Sequence, residues 1–212
     1  MRNVLIGALV LGVLIGTAPA AKAVPILDQV FVPTYGYQYA ELRDGFLRAQ
    51  TFTVGLSGLL TGFEVLLSAP GTGGTATFGI YSTTGGVPNI HSAPLATATL
   101  VLPGLSDTAA FFFGNVSAYG VMVNAGDVYA IGFTSSGDPA TWRGSMDGQE
   151  LAHYLGGTMY GQGWTSPFEA LPNDLGFRTW VDPDIAAPAV PEPASLLLLG
   201  TGLAGLVAAR RR

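Results

Sequence analysis

From Gln50 to Phe133 the chain changes polarity at nearly every second residue, and this period most narrows the folds open to it. Side chains alternate across a strand with a period of two, whereas a helix needs 3.6. Thr75-Ala76-Thr77-Phe78-Gly79-Ile80-Tyr81 places Ala76, Phe78 and Ile80 on one face. Leu59 to Leu67 puts Phe63, Val65 and Leu67 on one face and Glu64 on the other. Thr51-Phe52-Thr53-Val54 and Val128 to Phe133 alternate in the same way. Further short strands are expected at Leu95 to Leu102, Phe111 to Phe113, Tyr119 to Val123, Trp142 and Leu175 to Val181. Turn residues separate them at Gly55 to Gly58, Pro70 to Gly74, Gly85 to Asn89 and Asn124 to Asp127. Residues 24–49 carry a weaker pattern, in which Phe31, Tyr35, Tyr37 and Tyr39 suggest an opening strand and Glu41 to Arg48 is ambiguous. Residues 147–170 read as loop. About nine short strands and no segment of helical period predict an all-β fold, an antiparallel β-sandwich with a jelly roll preferred.

Both ends depart from this pattern. Arg2, an apolar run from Val4 to Gly16 and small residues at Ala21 and Ala23 describe a secretory signal peptide over 1–23. Cleavage is expected after Ala23, with Ala20 as the second choice. At the other end, Pro191-Glu192-Pro193 precedes an uncharged, Leu-rich run from Ala194 to Ala209 and then Arg210-Arg211-Arg212. As a helix that run spans about 24 Å. This is short for a bilayer core, but sufficient with local thinning and snorkelling arginines. The arginines hold their end in the cytoplasm, so everything before Pro191 lies outside. The expected organisation is therefore signal peptide 1–23, exported domain 24–181, Pro/Ala linker 182–189 and tail 190–212 with a transmembrane helix over 194–209.

The three-part order of this tail resembles the PEP-CTERM sorting signal, also known as the ice-binding-protein C-terminal domain. The resemblance implies a membrane enzyme of the exosortase type as partner. Pro191, Glu192 and Pro193 would be the recognition motif, and Arg210, Arg211 and Arg212 the terminal cluster. It reports routing rather than activity: membrane anchoring by the tail, then the cell surface or the extracellular space. The exported stretch also resembles the lectin-like or carbohydrate-binding sandwiches that such proteins commonly carry. The matching residues are Gln50 to Val54, Ala125 to Ala130 and Asp174 to Thr179. Gly200-Thr201-Gly202-Leu203-Ala204-Gly205 fits a dinucleotide-binding pattern by letter, but it lacks the βαβ context and the acid that such a site needs.

Between Val24 and Ala189 the only bases are Arg43, Arg48, Arg143 and Arg178, against thirteen acids. A body of that sign repels nucleic acid and anionic lipid. The chain has no cysteine, so no disulfide supports the fold. Its charged fraction of 11% and 30 glycines suit strands and turns rather than helices.

Catalytic signatures are missing: there is no nucleophile elbow, zinc helix or phosphate loop. His91 reads as a surface turn residue and His153 as a neighbour of Tyr154. Asp147 and Glu150 are the nearest pair for glycoside hydrolysis. The most suggestive cluster is aromatic: Trp142, Tyr154, Tyr160 and Trp164, interspersed with Asp147, Glu150, His153 and Gln162. Sugar rings stack on such side chains while amides and carboxylates take their hydroxyls, although large aromatics more often cap a core. Asp174, Asp182 and Asp184 are oxygen donors for calcium, yet no calcium loop surrounds them. Thr-x-Thr pairs at 51, 75 and 97 are too irregular for an ice-ordering array. The expectation is a non-enzymatic exported protein of structural or adhesive role, with no cofactor and no metal. The alternative is a glycan-binding module for exopolysaccharide acting through the loop aromatics.

Overall fold

The computed structural model describes residues 24–33, 38–43, 45–68, 73–103, 109–136, 140–144, 153–163 and 167–183. The signal segment, most of the linker and the sorting tail lie outside these residues. So do Tyr35, Tyr37, Asp147, Glu150, Trp164 and Asp184.

The described chain is built of β-strands and one 3-10 turn, Ser117–Tyr119. In order the strands are β1 (Ile26–Phe31), β2 (Gln38–Leu42), β3 (Leu47–Thr53), β4 (Gly58–Ser68), β5 (Gly73–Thr84), β6 (Val87–Pro88) and β7 (Ala96–Pro103). They continue with β8 (Ala110–Asn115), β9 (Met122–Val123), β10 (Val128–Ser136), β11 (Ala140–Gly144), β12 (Met159–Gln162), β13 (Glu169–Leu171) and β14 (Phe177–Asp182). No helix among them is long and apolar enough to cross a membrane.

All pairings are antiparallel, in two seven-stranded sheets. The first is organised on β4, whose Phe63 pairs with Thr179 of β14 on one edge and Gly114 of β8 on the other. Strand β1 lies outside β14, while β11 and β2 continue the β14 side. The second runs β13-β12-β3-β10-β5, with β7 on the far edge of β5 and β6 closing a hairpin on it. That hairpin turns on Gly85-Gly86, at φ +60° and +84°. Both conformations are left-handed, as a two-residue loop matching the twist of its strands requires.

The inward positions of the two sheets share one core. Phe63, Val65 and Leu67 of β4 and Phe177 of β14 face Phe52 of β3, Ala76, Phe78 and Ile80 of β5, and Ile131 and Phe133 of β10. Ring contacts cross the interface, Phe63 on Phe78 at 6.4 Å and Phe52 on Phe177 at 6.0 Å. For β4 and β5 these are the faces the alternation predicts. A smaller cluster on the outer face of the second sheet packs Ala49, Tyr81, Ile90 and Ala130 under Leu47, Tyr160 and Phe168.

Three expectations need correction. Residues 147–170 contain β12 and part of β13, because Met159 and Gly161 bury against β3 while Tyr160 and Gln162 face out. Tyr119 to Val123 is not one strand: the chain turns at Gly120, φ +66°, and only Met122–Val123 pairs with β4. Gly73 and Gly74 belong to β5 rather than to a turn, since they pair with Pro103 and Leu102.

Ile26 at the start of β1 pairs with Val181 near the end of β14. The first and last strands of the described residues therefore lie side by side.

Candidate functional site

The loop aromatics do not form one surface. Trp142 is fully buried between the sheets, edge-on to Phe78 at 5.1 Å, with its Nε1 donating to Gly176 O at 2.9 Å. Its indole faces cannot receive a sugar ring, which corrects its place in the expected platform. Tyr154 is half-buried, T-shaped against Phe177 at 5.0 Å, and donates to Gln29 Oε1 at 2.8 Å. Burial pushes its phenol up to about 12; a backbone hydrogen bond from Thr53 opposes this, and Asp28 and Asp174 add to it. Tyr160 stacks on Phe168 at 5.7 Å over the second sheet. The three described members thus lie between the sheets, at the rim of the core and on an outer face.

Beside Tyr154 a cleft of about 400 Å³ is lined by His153, Leu155, Thr158, Leu171 and Asp174. Asp174 is 4% exposed. Its Oδ1 accepts from Gln50 Nε2 at 3.0 Å, and its Oδ2 accepts from the Tyr154 amide at 3.0 Å and lies 3.4 Å from His153 Nδ1. Gln50, wholly buried, also donates to Thr51 O and accepts from the Leu175 amide at 2.7 Å. Gly157 lies so close to β3 that a Cβ there would stand 1.9 Å from Thr51 O. The bonds at Asp174 clamp a loop and β3 to the start of β14. At the other end of β3, the Val54 amide donates to Asp127 O at 2.9 Å and the Val54 carbonyl accepts from the Gly126 amide at 2.8 Å. Asp174 and Asp182 are both buried, and among the described residues no group of three or more acids or histidines is placed to hold a metal.

A second groove, about 410 Å³, opens on the outer face of the first sheet. It is lined by Pro25, Thr61, Phe113, Asn115, Ser117 and Trp180. Its geometry follows from one strand glycine. Gly62 pairs with Trp180 on one side and Asn115 on the other, so the three form a row across β14, β4 and β8. A Cβ at Gly62 would lie 2.5 Å from Cε2 and Cζ of Phe113, so the missing side chain is what lets that ring lean across the sheet. Glycine inside a strand often marks such a close approach. Phe113 is 52% exposed. Asn115 Oδ1 accepts from the amide and hydroxyl of Ser117 at 3.0 and 2.8 Å, while its Nδ2 has no partner among the described residues. Trp180 Nε1 is buried without an acceptor, at a cost of about 1–3 kcal/mol.

One row along, Arg178 pairs with Glu64 at 3.1 Å and stands 3.9 Å over the ring of Phe111. That pair is neutral as a unit, and the lining of the groove carries no charged residue. Sequence reasoning treated Phe111 to Phe113 and Trp180 only as strand residues. The available signal was three consecutive phenylalanines: a strand cannot turn all three to one core, so some must face outward.

Compared with known families, residues 189–212 match the model of the PEP-CTERM protein-sorting motif. No curated protein matches the chain. The motif marks an exported protein, sorted by an exosortase-like system. Its C-terminal region anchors it transiently in the membrane, where the processing enzyme resides.

Proposed function

We propose that the exported body is a non-enzymatic structural or adhesive protein of the cell surface or extracellular matrix. The observation that carries this is the sorting motif at 189–212, joined to a body that closes its own core. The Gln50–Asp174 network supports it, because its buried polar atoms are engaged in joining segments rather than free to act on a substrate. We further read the fold as a jelly roll. The strand orders β1-β14-β4-β8 and β3-β10-β5-β7 support this, since first and last strands are neighbours in one sheet and the chain crosses between the layers repeatedly, from β3 to β4, β4 to β5, β7 to β8 and β9 to β10.

The test is a doubly tagged chain expressed in a host that carries an exosortase. The unaltered protein should lose its C-terminal tag and reach the surface. A variant with Pro191, Glu192 and Pro193 changed to alanine should keep the tag and stay in the membrane fraction. Equal processing of the two would overturn the sorting role of the motif. Release of reducing ends from a polysaccharide, abolished by Asp147→Asn or Glu150→Gln, would overturn the non-enzymatic reading.

A further inference from the structure

We infer that the groove on the outer face of the first sheet is a binding site for an uncharged saccharide, with Phe113 and Trp180 as its stacking walls and Asn115 and Ser117 as its polar contacts. The inference rests on the adhesive reading and gives it a place and a ligand class. A volume of about 410 Å³ falls in the range of small-ligand sites, roughly 300–1,000 Å³. The apolar C–H face of a pyranose matches exposed aromatic surface, and its hydroxyls need donors and acceptors at the edge.

The groove supplies both. Phe113 of β8 leans over Gly62 of β4 with half its surface open, toward Trp180 of β14 on the far side of that strand. Asn115 turns its Oδ1 to Ser117 and so keeps its Nδ2 for a ligand oxygen, while the Ser117 hydroxyl, donating to Asn115, retains lone pairs to accept. A ligand that tilts the Trp180 ring also finds an N–H that no protein atom accepts. The ligand is uncharged because the lining holds no ionised group, Arg178 is spent on Glu64, and the acidic body repels polyanions. The other outer face is closed where Tyr81, Ile90 and Phe168 cover it. On the first sheet, Leu27, the cross-strand partner of Trp180, is exposed beside the groove.

The test uses the full chain in detergent, titrated calorimetrically with neutral gluco- and manno-oligosaccharides and with an oligogalacturonate. Neutral oligosaccharides should bind, and the acidic one should bind at least about tenfold more weakly. Phe113→Ala and Asn115→Ala should each weaken neutral binding by about tenfold, equivalent to ~1.4 kcal/mol. Both side chains are exposed, so the folded state survives their loss, which an unchanged thermal midpoint verifies. Thr99→Ala, on the opposite sheet, should bind as the unaltered chain does. Absence of binding by every neutral oligosaccharide, tighter binding of the acidic one, or loss on Trp164→Ala with Phe113→Ala unchanged would each overturn the assignment. Tail processing is read separately by the tag assay, so failure here is distinguishable from failure of the sorting reading.

Discussion

Replacing Trp142 by alanine should destabilise the exported body by about 3–5 kcal/mol, the usual cost of truncating a buried tryptophan. The indole is fully buried between the sheets, so truncation forfeits all of its buried apolar surface and leaves a cavity. Part of the loss is the edge-on contact with Phe78 at 5.1 Å, worth roughly 0.5–1.5 kcal/mol beyond buried area. Another part is the bond from Nε1 to Gly176 O, worth about 1 kcal/mol. Losing that donor does not orphan the carbonyl, because the Leu66 amide also donates to Gly176 O at 2.9 Å. Trp142→Phe should therefore cost less, about 1–2 kcal/mol, since an aromatic ring remains and no buried acceptor is left unpaired. In a domain of this size each kcal/mol moves the midpoint by about 2–4 °C, so alanine should lower it by about 6–20 °C and phenylalanine by about 2–8 °C. Near-UV circular dichroism during thermal unfolding follows this, with urea titration to check that the m-value is unchanged. An alanine variant within about 1 kcal/mol of the unaltered protein would refute the burial. It would also favour the ligand-facing alternative that the sequence left open beside core capping.

Gln50→Leu should cost about 2–5 kcal/mol by urea titration, because it strands the Leu175 amide in the interior and removes a hydrogen bond to the buried Asp174 carboxylate; a neutral result would refute the clamp. Gln50→Glu places two carboxylates together, so the folded pair retains a proton that the unfolded chain releases. That variant should gain stability as pH falls from 7 toward the carboxylate range near ~4, and a gap that widens on acidification would contradict the geometry. Tyr154 has a folded pKa of about 12, raised chiefly by burial. Its contribution is complete below about pH 10 and lost as pH rises from there through about 12. Burial raises Tyr81 and Tyr129 as well, so Tyr154→Phe should flatten only part of the alkaline decline in an unfolding-against-pH series. An unchanged slope would show that Tyr154 is solvated.

The period of two was enough to place the inward faces of β4 and β5, because alternation along a strand is a local property that the burial of one face enforces. The order of the sorting tail was legible for a similar reason: its parts are contiguous in the chain. Strand β12 was not legible, since two of its residues are Met159 and Gly161 and its burial comes from β3, more than a hundred residues earlier. Nor did the sequence distinguish Trp142 from Trp180. Both lie in short strands directly after a threonine. The sign of each depends on which sheet face the partner strands leave covered. Trp142 extends inward beside β4 to meet Phe78 of the facing sheet, whereas Trp180 sits on the opposite face, next to a glycine that clears space beside it. Periodicity and contiguous motifs thus determined the all-β class and the export route. Only tertiary structure decided which aromatics became core and which became surface, because that choice is made by residues far apart in sequence meeting across two sheets.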